Sequence, residues 1–205
     1  MKLISIPHLK KLTRQDDLTQ YGEIYFRCSG LQVPEAYLSG SGNRVYGIYY
    51  QKQMIGGFIL GKGETLRTLE VFANPDAREQ LYHELGAIGD CTEITCFWIA
   101  PKVRRNTALN TFVWMCLGFS LRWYGAKNIV FGTCSASLAR LYSSTPRSVL
   151  IHRDMVNDRK TFIFRGDRHM CLHAFMEILS YKWARLTQIR NYQTSQILSS
   201  TNHSS

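Results

Sequence analysis

The order of apolar and polar residues along the chain predicts helices and strands in mixed succession. Between residues 12 and 28, apolar side chains recur every three or four positions behind an acidic start, which predicts a helix. Pro34 and the glycine-rich run 39–43 then mark a loop. Farther on, runs rich in β-branched and aromatic residues predict strands, and longer apolar or amphipathic stretches predict helices. The elements predicted after the loop are a hairpin over 44–60, a further strand over 65–72, a helix over 75–85, a strand over 91–100, a helix over 107–124, a strand over 128–133, a helix over 135–143, strands over 149–152 and 161–164, and an amphipathic helix over 169–197.

This succession predicts one domain of the mixed α/β class, over residues 1–198. Hairpins give antiparallel strands and helical crossovers give parallel ones, so the sheet is expected to be mixed and flanked by helices. The core is expected over 44–165, the extra C-terminal helix over 169–197, and a disordered polar tail over 199–205. Gly56 and Gly57 within the hairpin predict a bulge or a close backbone approach.

Composition narrows the classes of protein. With 45% hydrophobic residues in 205, the chain can bury a core, which excludes wholesale disorder. The sequence contains no apolar run of about 18 residues and no signal-like N-terminus, so we expect a cytoplasmic protein without stable membrane insertion. Its 25 Lys and Arg against 15 Asp and Glu give a net charge of +10, which favours an acidic partner. Nucleic acid, a membrane surface, an anionic cofactor and an acidic protein all fit that charge.

The six cysteines form no C-x-x-C pair and lie in apolar segments. We expect most of them to be reduced and buried, because a chain of this size does not depend on a disulfide framework. His169, Cys171 and His173 are the one group with a conceivable metal-binding pattern. On a helix, residues two apart point about 200° away from one another, so no metal site is predicted.

Residues 93–101 read Glu-Ile-Thr-Cys-Phe-Trp-Ile-Ala-Pro, a strand that ends in proline. Three residues later a basic residue, Arg104, precedes the long apolar helix, and Leu141-Tyr142 closes the next short helix. In order and spacing, these features resemble the central part of the GNAT superfamily of acyltransferases. The resemblance covers 44–142 and includes 149–164 as the last strand pair, and it implies a GNAT-like central sheet.

The resemblance implies two catalytic residues. Glu93 corresponds to the strand carboxylate that takes a proton from the attacking amine, and Tyr142 to the acid that protonates the leaving thiolate. A carboxylate on an apolar strand is costly unless it is paired or useful. The alternatives are that Glu93 faces solvent or pairs with an arginine, and that Tyr142 is a core tyrosine.

The resemblance also implies where the acyl donor would bind. In this family the donor contacts backbone groups at a strand edge, the loop before the long helix, and a polar residue that precedes the next helix. In this sequence those positions are Phe97, Trp98, Ile99, Arg104, Arg105, Asn106, Thr107 and Ser135.

The donor loop departs from the family pattern at its two glycines, which let backbone N–H groups approach a pyrophosphate. Thr107 and Leu109 stand in their places. Either Arg104 and Arg105 bind phosphate with their side chains, or the donor has no pyrophosphate. The second case describes the branch of N-acyl amino acid synthases and acyl-homoserine-lactone synthases, which takes acyl groups from the acidic acyl carrier protein.

The sequence therefore predicts an N-acyltransferase that moves an acyl group from a phosphopantetheine thioester, on acyl carrier protein or coenzyme A, to a small amine or amino acid. No tightly bound cofactor is expected. Two alternatives stay open. One is a nucleic-acid-binding protein, which the charge permits although no known nucleic-acid-binding signature is present. The other is an inactive GNAT-like interaction module, since a fold does not by itself carry an activity.

Overall fold

A computed structural model describes residues 6–62, 66–70, 74–85, 91–124, 127–156, 158–167, 169–170 and 176. The strands within these residues are β1 (His8–Leu12), β2 (Asn43–Tyr50), β3 (Gln53–Gly61), β4 (Cys91–Ile99), β5 (Asn128–Thr133), β6 (Ser148–Val156) and β7 (Arg159–Asp167). The helices are α1 (Gln15–Ser29), α2 (Glu35–Ser39), α3 (Arg67–Glu70), α4 (Pro75–Leu85), α5 (Pro101–Arg104), α6 (Thr107–Tyr124) and α7 (Ala136–Ser144).

The strands form one mixed sheet in the order β1-β2-β3-β4-β5-β7-β6. Neighbouring strands are antiparallel except for β4 and β5, which run parallel. A parallel pair needs a crossover connection, and α5 and α6 provide it. The mixed sheet predicted from the sequence is therefore confirmed.

Helices cover both faces of this sheet. Ile94 and Phe131 pack on one face against α6 and α7. Trp98 packs on the other face against α1 and α2, and Val130 packs there against α3 and α4. The protein has three layers, with the sheet in the middle.

The parallel pair separates before its strands end. The last paired residues of β4 and β5 are Ile94 and Phe131, although β4 continues to Ile99. Against β3, the register of β4 shifts by one residue between Thr95 and Trp98. The extra residue is accommodated at Cys96, whose φ of 51° lies in the left-handed region. The bulge and the separation leave a gap in the middle of the sheet.

Most of the predicted elements are confirmed, and the helix over 107–124 and the strand over 128–133 have the predicted bounds. The predicted strand over 65–72 is wrong, because residues 67–70 form α3. Leu66 and Leu69 are both fully buried three residues apart, and the Leu66 carbonyl accepts a hydrogen bond from the Leu69 N–H at 2.8 Å. In a helical turn residues three apart lie on the same face, and both leucines pack in one cluster with Val130 and Ile163 of the sheet.

Three short elements were not predicted, and each lacks a periodic signal. β1 is an edge strand in which only Leu12 is buried. α2 is five residues long and lies within the region predicted as a loop, and α5 lies within the donor loop. The predicted C-terminal helix over 169–197 and the tail over 199–205 lie almost wholly outside the described residues. Among the described helices, none has the length and apolar character needed to cross a membrane.

Candidate functional site

A cavity of about 500 Å³ occupies the gap between β4 and β5. Tyr25 and Arg67 line it on the face covered by α1 and α3. Trp114, Leu138 and Tyr142 line it on the face covered by α6 and α7. The cavity therefore passes through the sheet, which requires the two strands to have separated.

The edge of β4 along this gap has backbone groups that the sheet does not use. The Ala100 N–H donates to the Ile55 carbonyl at 2.9 Å, so the next pair, Ile99 with Gly56, is the kind that makes no hydrogen bonds across an antiparallel ladder. The N–H and C=O of Ile99 therefore point away from β3, toward the open side. The Ile99 carbonyl accepts a hydrogen bond there from Arg104 Nε at 2.9 Å.

Glu93 is buried in the same strand, with 2% of its surface exposed. Tyr37 Oη donates to Glu93 Oε1 at 2.5 Å. The Thr68 N–H and Thr68 Oγ1 donate to Oε2 at 2.9 and 3.0 Å. Gly61 leaves space for the carboxylate, since a Cβ there would lie 2.8 Å from Oε1. Both carboxylate oxygens are thus held by neutral donors, and no arginine among the described residues bonds to Glu93.

Glu93 is connected to the cavity through hydroxyl groups. Glu93 and Tyr37 do not line the cavity, but Thr95 and Thr68 do. Tyr37 Oη lies 3.0 Å from Thr95 Oγ1 as well as bonding to Glu93. Burial and the neighbouring Glu93 carboxylate raise the pKa of Tyr37 well above its ordinary value, so Tyr37 stays protonated. The series Thr95, Tyr37 and Glu93 can pass a proton from the cavity to the carboxylate.

Tyr142 is in the cavity wall and is 7% exposed. Its ring packs edge-to-face against Phe131, with centroids 4.9 Å apart, and against Phe164 at 5.6 Å. These contacts fix the ring, and the residue belongs to the core as well as to the cavity. Its role as an acid stays a prediction.

The predicted donor residues occupy four different positions. Phe97 and Ser135 line the cavity, and Ser135 also caps α7 by accepting from the Leu138 N–H at 3.4 Å. Ile99 borders the gap through its backbone. Trp98 instead pairs with β3, and its side chain is buried against Tyr21 on the face covered by α1.

The loop residues Arg104, Arg105, Asn106 and Thr107 lie at the carboxyl end of β4, where α6 begins. Asn106 Oδ1 accepts from the Leu109 N–H at 3.1 Å and so caps α6. One of the N–H groups that a phosphate would use at this helix terminus is therefore occupied. Arg104 and Arg105 are exposed.

Four residues of the site were not predicted, namely Tyr37, Thr68, Thr95 and Arg67. Tyr37 and Thr68 contact Glu93 across 56 and 25 residues of sequence, so no local pattern links them to it. Arg67 was placed in a strand and given no role. The burial of a carboxylate does imply donors nearby, but it does not say which residues provide them.

Within the described residues, no three His, Cys, Asp or Glu side chains are grouped as a metal site would need. Cys171 and His173, which the sequence analysis considered, lie outside those residues. The cysteines that are described have free thiols, and Cys91, Cys96 and Cys116 are buried.

No protein-family profile and no curated protein sequence matches this chain. Several solved structures do match this chain. FeeM, an N-acyl amino acid synthase from uncultured soil microbes, matches with a TM-score of 0.60 at 9% identity, over 82% of this chain and 93% of FeeM. The AHL synthase LasI matches with a TM-score of 0.61 at 11% identity, over 83% of this chain and 95% of LasI. A proposed acetyltransferase of the GNAT family from Desulfovibrio desulfuricans matches with a TM-score of 0.53 at 10% identity, over 80% of this chain and 99% of that protein. At these identities the similarity concerns the fold, and it confirms the GNAT-like fold predicted from the sequence.

Proposed function

We propose that this chain, which has the GNAT fold, is an N-acyltransferase that moves an acyl group from a phosphopantetheine thioester to an amine. The observation that carries this proposal is the cavity that crosses the sheet between β4 and β5. A thioester laid along the unpaired edge of β4 has its carbonyl beside a backbone N–H of the strand between the bulge at Cys96 and Ile99. The amine reaches that carbonyl from the side of α1 and α3.

The acyl chain occupies the side of α6 and α7, where Trp114, Leu117 and Leu138 give the cavity an apolar wall. Burying each methylene there is worth about 0.8 kcal/mol, which favours donors with more than an acetyl group.

The reaction needs one proton removed from the amine and one given to sulfur. The amine nitrogen attacks the thioester carbonyl and gives its proton to Thr95 Oγ1. At the same time the Thr95 hydroxyl proton moves to Tyr37 Oη, and the Tyr37 proton moves to Glu93. The oxyanion of the intermediate accepts a hydrogen bond from that backbone N–H of β4, near Ile99. When the C–S bond breaks, Tyr142 protonates the thiolate, and the amide product leaves.

Acyl carrier protein suits this donor site better than coenzyme A does. The α6 terminus is capped by Asn106 and has Leu109 where a glycine would open it, which disfavours a pyrophosphate. Lys102, Arg104 and Arg105 are exposed beside it and complement an acidic carrier protein. FeeM, which shares the fold, is an N-acyl amino acid synthase, and the branch that this sequence resembles uses carrier-protein donors.

The test is turnover with matched donors. The purified chain is incubated with a mixture of amines and amino acids and with decanoyl thioesters of either acyl carrier protein or coenzyme A, and N-acyl products are measured by mass spectrometry. We expect products with the carrier-protein donor at a kcat/KM at least about tenfold above that with coenzyme A.

Two variants test the residues. Glu93→Gln keeps the shape of the side chain but cannot accept the proton, and Tyr142→Phe keeps the ring packing but cannot give one. We expect each to lower kcat about 100-fold or more. Circular dichroism and thermal unfolding check that both variants fold. Unchanged turnover in the folded variants would contradict the mechanism, and no product with either donor would contradict the proposed function.

A further inference from the structure

We propose that Arg67 and Arg159 form an anion-binding subsite at the acceptor end of the cavity, and that the acceptor is an amino acid whose carboxylate they bind. This inference rests on the proposed acyl transfer for its substrate, but the two arginines are identified by geometry alone. Both line the cavity on the side of α1 and α3.

Arg67 is held in place with donors to spare. Its Nη2 donates to the Gln32 carbonyl at 3.0 Å, and its Nη1 contacts Cys96 Sγ at 3.4 Å. The guanidinium lies 4.9 Å from the centroid of the Tyr37 ring. Sulfur is a weak acceptor, and a guanidinium has more N–H groups than these contacts use. The stacked, pre-oriented guanidinium suits paired hydrogen bonds to a carboxylate.

Arg159 approaches from the start of β7. Its Nη1 donates to the Ser29 carbonyl at 3.1 Å. Gly30, with a φ of +71°, leaves Nη2 room, since a Cβ there would lie 3.3 Å from it. Two residues three apart hold the two arginines: Ser29, the last residue of α1, and Gln32, in the loop that follows. The end of α1 and the loop after it therefore position both cations.

Within the described residues, neither arginine is paired directly with an acidic side chain. Both arginines bond to backbone carbonyls instead. No Asp or Glu is among the described residues that line the cavity. Glu93 lies behind Thr68, which holds its carboxylate. Two cations at one end of a cavity whose described lining includes no carboxylate favour an anionic ligand.

The position of Arg67 restricts the acceptor further. Its guanidinium reaches the bulge at Cys96, adjacent in sequence to Thr95, the residue that receives the amine proton. An anion held by Arg67 is therefore close to the reacting amine. α-Amino acids have this separation of amine and carboxylate, whereas long polyamines carry no anion at all.

The first experiment compares phenylalanine with phenethylamine, which lacks the carboxylate, as acceptors for a decanoyl thioester. We expect the chain to prefer phenylalanine by about 10- to 100-fold in kcat/KM. This ratio corresponds to the free energy of hydrogen bonds to a charged group. Arg67→Gln should remove this preference by raising the KM for phenylalanine, with a small change in kcat, and Arg67→Lys should restore part of it. Arg159→Gln should weaken it less, since Arg159 is more exposed. Arg122→Gln, an exposed residue of α6 outside the cavity lining, is the matched control.

The second experiment does not need turnover. Calorimetry measures binding of N-decanoylphenylalanine and N-decanoylphenethylamine to the wild-type chain and to Arg67→Gln. We expect the carboxylate-bearing compound to bind wild type about 10- to 100-fold more tightly and to lose that advantage in Arg67→Gln. Equal binding of the two compounds by wild type, or an advantage that Arg67→Gln keeps, would overturn the subsite even if acyl transfer is observed. Selective binding without any turnover would support the subsite and contradict the proposed function.

Discussion

At the scale of single residues, the site depends on how a buried carboxylate is satisfied. Glu93 is 2% exposed, and Tyr37 and Thr68 supply the hydrogen bonds that water would otherwise give. Gly61 supplies the space, because any larger residue would meet the carboxylate. These neutral partners fix the position of the carboxylate, to which our proposed mechanism delivers the amine proton.

A second residue at this scale, Cys96, lines the cavity at the bulge of β4. Burial raises the pKa of its thiol to about 11. Because a raised pKa lowers the ionised fraction of a thiol, roughly one Cys96 side chain in a thousand is a thiolate at pH 8. We expect iodoacetamide at pH 8 to alkylate the exposed Cys134 at least about 100-fold faster than Cys96. Peptide mass spectrometry measures both rates.

The same labelling in urea is the control, since the two cysteines should then react at similar rates. As the pH rises toward 11, labelling of Cys96 in the folded chain should accelerate. Equal rates at pH 8 in the folded chain would show that Cys96 is accessible and ionised.

At the scale of elements, the gap in the sheet depends on the fit of β3 beneath the bulge of β4. Gly57 pairs with Trp98 immediately beside the register shift. A Cβ at Gly57 would lie 2.5 Å from Tyr21 Cε2 and 2.6 Å from the Tyr46 carbonyl oxygen. The backbone of β3 therefore approaches α1 so closely that no side chain larger than that of glycine fits at position 57. The glycine pair in the sequence predicted this close approach or a bulge, and both occur.

We expect Gly57→Ala to lower the free energy of unfolding by about 2 kcal/mol, because the neighbouring strand and Tyr21 must move to admit the methyl group. Urea unfolding followed by circular dichroism measures the change. Gly22→Ala is the control, since a Cβ there would meet only the flexible end of Leu38 at 3.3 Å and alanine favours a helix. A loss of stability in Gly22→Ala equal to that in Gly57→Ala would contradict this account.

At the scale of the whole molecule, the charge of +10 has two separate uses in our proposals. Lys102 and Arg105 lie exposed at the carboxyl end of β4, where a carrier protein would dock. Arg67 and Arg159 line the interior, where the acceptor would bind. The first pair acts through long-range attraction that salt screens, whereas the second acts through short hydrogen bonds.

We expect the double variant Lys102→Glu with Arg105→Glu to raise the KM for decanoyl acyl carrier protein about tenfold at low salt, with kcat little changed. The effect should shrink at 0.5 M salt, because the Debye length is then about 4 Å. Lys11→Glu, on the edge strand β1, changes the same kind of charge away from the cavity and is the control. Steady-state kinetics at three salt concentrations measures the effect, and an identical rise in KM for Lys11→Glu would contradict a local docking surface.

The sequence by itself determined the order of the main elements and the fold class. Hydrophobic periodicity is a local property, so long periodic segments such as 107–124 and 128–133 could be predicted with their bounds. The motif over 93–101 identified Glu93 and the strand that borders the cavity. Short elements such as α3 could not be predicted, because four residues carry too little pattern to outweigh strand-forming neighbours.

Only the tertiary structure decided how the site is assembled. The separation of β4 from β5, the contact of Tyr37 with Glu93, and the convergence of Arg67 and Arg159 all join residues that are distant in sequence. It also placed Trp98 away from the cavity, because the bulge at Cys96 changes which residues of β4 face which side. Such contacts depend on the packing of several elements at once, and no local pattern in the chain encodes them.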